Sequence, residues 1–120
     1  TDSTLKGQTV FLAERCGELM HDNIITDRTV LDVMAFTMNA KSIPHQDKDA
    51  FETYASEFIR EYDYIFYISP HGLEIEHYRD LIDFTITTLI KRHGHKAGKV
   101  EKISGSTEER IQQILNITNL

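Results

Sequence analysis

The hydrophobic positions along the chain fall into two kinds of pattern. From Gly7 to about Asp22, Leu12, Ala13, Cys16, Leu19 and Met20 recur at helical spacing and predict one apolar stripe on a charged helix. Ile24 and Ile25 then form a short apolar run, followed by Asp27-Arg28 and a segment from Val30 to about Met38 that is apolar on nearly every side. That order predicts a buried strand, a charged turn and a central buried helix. Pro44 closes the segment in a loop from Ala40 to Gln46. Asp47 caps a third predicted helix, whose inner face is marked by Ala50, Phe51, Tyr54, Ala55, Phe58 and Ile59.

The second half repeats the alternation. Tyr64-Ile65-Phe66-Tyr67-Ile68 is a continuous aromatic and β-branched run, which predicts a strand covered on both faces, and Ser69-Pro70-His71-Gly72 is a turn cluster. A fourth helix is predicted from about Glu76 to His93, with Tyr78, Leu81, Ile82, Thr85, Ile86, Leu89 and Ile90 on its inner face and Gly94 as its stop. Lys99 to Ile103 alternates as a half-exposed strand does. Ser106-Thr107-Glu108-Glu109 offers a capping box for a last helix lined by Ile111, Ile114, Leu115 and Thr118. Helix and strand in alternation predict one α/β domain over residues 1–120, with a mainly parallel sheet between layers of helices.

Composition narrows the function classes. A chain of 120 residues can bury roughly two-thirds of its unfolded surface, so a true core is available. With 40% apolar residues and a net charge of -6, no broad basic surface for nucleic acid is expected. The single cysteine, Cys16, excludes an internal disulfide, fits a reducing compartment and reads as packing. Without a membrane-length apolar run or a signal peptide in the sequence, no membrane partner and a cytoplasmic location are expected. The sequon at Asn116-Ile117-Thr118 reads as chance.

The candidate chemistry begins at Asp27 and Arg28. Burying that pair is costly unless it lies in a polar cleft or meets a partner, and the carboxyl ends of parallel strands are where ligands bind. The other reading of the pair is a helix cap followed by a surface cation. Asp32 either faces the same cleft or makes a structural hydrogen bond, and Asp63 reads as a turn residue. His71 follows the predicted buried strand and stands near the expected cleft. His93-Gly94-His95 could open a metal site, but no cysteine or acidic residue has ligand spacing to it. A hydrolase triad has no local support, since no Gly-x-Ser-x-Gly turn occurs.

With Asp27, the run from Tyr62 to Glu76 and Ile103-Ser104-Gly105-Ser106-Thr107-Glu108-Glu109-Arg110 in view, the chain resembles the later two-thirds of an AAA-type P-loop ATPase/kinase domain. That group includes ribosylnicotinamide-kinase-like and phage nucleotide-kinase-like proteins, and the resemblance runs from about Gln8 to Thr118. It implies a three-layer P-loop NTPase-like fold, ATP and magnesium as cofactors, and a nucleoside, nucleotide or related small molecule as phosphoryl acceptor. Asp27 would orient magnesium or accept the acceptor's proton, and Arg28 would grip a phosphoryl group. Ser104, Gly105 and Ser106 would form the loop that approaches the adenine, where glycine admits close backbone approach. Arg79 would be a remnant of a basic lid, its other reading being a solvated arginine in the first turn of a helix; His71, from its place beside the expected cleft, is the further candidate to touch substrate.

Two departures from that pattern stand in the sequence. No Gly-x-x-x-x-Gly-Lys-Ser/Thr is present, and the nearest run, Gly94 to Val100, is one residue short, lacks the hydroxyl residue and precedes a strand. Between Glu74-Ile75-Glu76 and Tyr78-Arg79 the expected acidic and arginine-bearing lid has almost no length. Because the chain starts at Thr1 without methionine, the resemblance implies a domain incomplete at its N-terminus. An upstream segment, a rearranged strand order or another copy of the chain would have to fill the resulting gap in the sheet. The expected function is thus ATP-dependent phosphoryl transfer or ATP hydrolysis, and the alternative is a non-catalytic binding or regulatory module derived from that fold.

Overall fold

The computed structural model describes residues 3–68 and 77–119, with the side chains of His77 and Tyr78 also outside the description. Helix α1 spans Leu5–Glu18, α2 Val30–Met38, α3 His45–Ser56, α4 His77–His93 and α5 Thr107–Thr118. Two short strands complete the described elements: β1, Tyr64–Ile68, and β2, Lys99–Ile103. Short 3-10 turns at Glu57–Glu61 and Gly94–Lys96 extend α3 and α4.

α2 is the hub, and its composition is the reason. Val30, Leu31, Val33, Met34 and Ala35 are all buried, so the helix presents apolar groups in several directions at once. α1, α3 and α4 pack against it from separate sides. Its start is fixed by a reciprocal cap: Leu31 N–H donates to Thr29 Oγ1, and Thr29 N–H donates to the Asp32 carboxylate at 2.8 Å. Asp32 therefore makes a structural hydrogen bond.

Two polar side chains set how α1 and α4 dock on this hub. Gln8, only 3% exposed, donates from Nε2 to the Val33 carbonyl at 3.2 Å and to Thr37 Oγ1 at 3.1 Å. Asn39, at the end of α2, donates to Thr85 Oγ1 of α4 at 2.9 Å. A buried amide without such partners would cost on the order of 1–3 kcal/mol, so these bonds select one docking register. Leu12, Cys16 and Leu19 bring the stripe of α1 onto the same core.

The sheet consists of β1 and β2 alone among the described residues, paired in parallel with Tyr64 opposite Lys99 and Ile68 opposite Ile103. Its approach is held by Gly98 N–H donating to the Tyr62 carbonyl and Lys99 N–H to the Asp63 carbonyl. Ile65 and Ile103 are buried, whereas Tyr64 and Ile68 are exposed. Continuous apolar character in this run thus does not produce a strand covered on both faces.

These observations overturn the predicted three-layer α/β fold and with it the resemblance to a P-loop NTPase. The domain is mostly helical, its core is helix against helix, and its sheet is a minimal open pair. The strand expected at Ile24–Asp27 is absent: the segment is irregular, Asn23 adopts a left-handed φ of 56°, and Ile25 is 90% exposed. Two apolar residues with no strand beside them leave their backbone groups better satisfied by water.

Candidate functional site

Each of helices α1 to α4 buries at least one apolar residue, whereas α5 buries none. The helix is launched by Ser104-Gly105-Ser106. Ser106 Oγ accepts from Glu109 N–H at 3.1 Å and the Glu109 carboxylate accepts from Ser106 N–H at 3.1 Å, a reciprocal cap. Hydrogen bonds from the Ser106 backbone and hydroxyl hold the Glu109 carboxyl below the usual carboxylate range. Gly105 has φ +103°, and the Gln113 side chain bridges the Ser104 backbone, accepting from its N–H at 3.3 Å and donating to its carbonyl at 2.7 Å.

Beyond this anchored first turn, α5 contacts the domain chiefly through β2. None of its residues is buried. Ile111, Ile114, Leu115 and Thr118 follow the i, i+3, i+4, i+7 spacing of a single helix face, yet Ile111 is 52% and Leu115 39% exposed. Ile114 and Ile117 are half-buried toward the domain.

The residues singled out in the sequence lie apart from one another in role. Asp27 and Arg28 are both exposed in the irregular segment before α2, where Thr26 Oγ1 donates to the Arg28 carbonyl at 2.8 Å. Ser104, Gly105 and Ser106 spend the polar groups just described on capping α5. Arg79 is exposed in the first turn of α4. His71, with the turn around it, lies outside the described residues. Among the described residues no group of three or more His, Cys, Asp or Glu is placed to hold a metal ion.

A polar cluster that the sequence did not disclose joins α3 to the end of α4. Glu52 takes Arg92 and His93 on one carboxylate, and Lys96 donates to Ser56 Oγ at 3.0 Å beside Glu57. Burial pushes the Glu52 carboxyl up, but hydrogen bonds and charge from Arg92 and His93 outweigh it and hold the group below its ordinary value. His93 therefore faces a carboxylate rather than His95, which is exposed. Spacing along one helix cannot reveal a partner some forty residues away.

An open depression of about 520 Å³, lined by Asp63, Tyr64, Gly98 and Lys99, sits where the two strands begin. In parallel sheets ligands bind at the opposite, carboxyl ends of the strands. No family model, curated protein or solved structure matches the chain. The expectation of a P-loop kinase or ATPase is overturned by the helix-dominated architecture: the described residues hold no sheet core, and the sequence has no phosphate-loop motif.

Proposed function

We propose that this chain is a protein-binding domain whose contact surface is the apolar face of α5. The observation that carries the reading is that a helix with a well-formed apolar stripe has no buried residue, although its N-terminus is firmly capped and tied to β2. Exposed apolar stripes on ordered helices mark interaction surfaces. A membrane surface is disfavoured as the occupant, because the polar face of α5 carries two glutamates and one arginine instead of a row of basic residues.

The test is whether the face belongs to the domain's own core. Ile111→Ser and Leu115→Ser, measured by chemical denaturation at low micromolar concentration, are expected to stay within about 0.5 kcal/mol of the wild type, as surface substitutions do. Leu89→Ala, in the core, is expected to cost about 2–5 kcal/mol in the same assay. Losses of core size at Ile111 and Leu115 would show that the stripe packs internally and would remove the binding reading.

A further inference from the structure

Half of the backbone groups of β1 face away from its partner strand. Lys99 N–H donates to the Asp63 carbonyl and Tyr64 stands opposite Lys99, so by the alternation of a parallel ladder Asp63, Ile65 and Tyr67 turn their backbone groups to β2. Tyr64, Phe66 and Ile68 turn theirs the other way, and among the described residues no backbone group meets them there. β2 is the only described element packed extensively along β1, and Tyr64 and Ile68 are exposed. The two edges of the pair also differ in chemistry. β2 carries Lys99, Glu101 and Lys102, charges of the kind that keep an edge from recruiting another strand, whereas Tyr-Ile-Phe-Tyr-Ile in β1 carries none.

We infer that the free edge of β1 is a contact surface separate from α5, and that it takes an extended segment of a partner protein as a third strand. Donors and acceptors at alternate residues, about 6.6 Å apart, are matched by extended backbone and not by a helix, whose own groups bond internally. The rings of Tyr64 and Phe66 stack on one face, 6.0 Å between centroids. The added strand is therefore one with aromatic or β-branched residues at every second position, set beside those rings. A second copy offering the same edge is disfavoured, because it brings together two chains of net charge -6. Three outward-facing residues make a small contact, so the binding is weak and reversible.

The probe is a terminally blocked peptide of alternating valine and threonine with a lysine at each end, titrated into the isotope-labelled domain and followed by amide hydrogen exchange. Phe66 and Ile68 N–H should gain about tenfold protection at saturation, while Ile65 and Tyr67, already paired with β2, change little. Methylating alternate peptide nitrogens removes the donors aimed at the edge and should weaken binding about tenfold. Phe66→Pro, which removes an outward N–H but no donor to β2, should weaken binding as much while Ile65 and Tyr67 stay protected; the methylated peptide makes the same test on the unaltered protein. No gain at Phe66 and Ile68 at millimolar peptide, or a gain indifferent to methylation, would overturn the inference. Protection at those amides without peptide would overturn it too, assigning the edge to a second copy if it rises with protein concentration and to the chain itself if it does not. None of these outcomes bears on the denaturation test of α5.

Discussion

Arg92, in the last turn of α4, places Nη1 2.8 and 2.7 Å from the two carboxylate oxygens of Glu52 in α3. His93 Nε2 lies 2.7 Å from one of the same oxygens, and the Glu52 and His93 side chains are largely shielded from solvent. Glu52→Gln is expected to cost about 1–3 kcal/mol at neutral pH, measured by urea denaturation. The pH dependence has a definite sign. The folded carboxyl is held below its ordinary 4.5, so the unfolded chain takes up the proton first as pH falls. Its contribution is present above pH 4.5 and is lost below it as the folded group protonates, and the gap between wild type and Glu52→Gln should close over that range. A gap unchanged at pH 3 would show that the carboxylate charge is idle.

Tyr62 gives the complementary case at high pH. Its hydroxyl accepts the Val30 N–H at 3.3 Å at the start of α2, and burial, partly offset by that bond, pushes its pKa up to about 12 from an ordinary 10. The unfolded chain therefore loses the phenolic proton first, and stability should fall as pH rises from 10 toward 12. Tyr62→Phe should lose this alkaline slope and, by leaving the Val30 N–H unpaired, cost about 1 kcal/mol at pH 7. Ultraviolet titration of the phenol checks the first expectation, and denaturation checks the second.

The strand pair depends on Gly98. A Cβ there would stand 2.5 Å from the Asp63 carbonyl oxygen, backbone that is itself hydrogen-bonded to Lys99 N–H. Gly98→Ala should cost more than about 2 kcal/mol and expose β1 and β2 amides to hydrogen exchange. Retained protection at Tyr67 and Lys102 would refute it.

At the launch of α5, Gly105→Ala meets both a left-handed φ and Glu109 side-chain atoms at 3.1–3.2 Å. Together with Ser106→Ala, which removes the cap, each substitution should cost about 1 kcal/mol. Helical signal from α5 should drop in circular dichroism while the α2 core stays protected. Unfolding of the whole domain with the helix would show that α5 is integral to that core.

Much of the local structure was legible in the chain. Apolar density from Val30 to Met38 marks the hub because a helix greasy on several sides can only be interior, and Ser106 to Glu109 reads as a cap because the hydroxyl and carboxylate serve neighbouring N–H groups. What misled was the step from elements to layers. Ile24-Ile25 looks like a strand only if strands stand beside it, and Tyr64 to Ile68 looks doubly covered only within a broad sheet; periodicity carries no information about neighbours. The Ser104-Gly105-Ser106 turn resembles a ligand loop because a helix cap and a ligand loop draw on the same residue types. The Glu52 cluster was invisible because its members meet only after α4 has docked on α3.

The parallel pairing of β1 with β2 has a kinetic corollary. Tyr64 and Lys99 are far apart along the chain, with α4 between them, so closing that register carries a larger chain-entropy cost than joining neighbours such as α1 and α2. On refolding, the amides of the α1–α2 pair should acquire protection ahead of the ladder. The seat of α5 on β2 is therefore settled late, after the strand from which the helix springs has found its place.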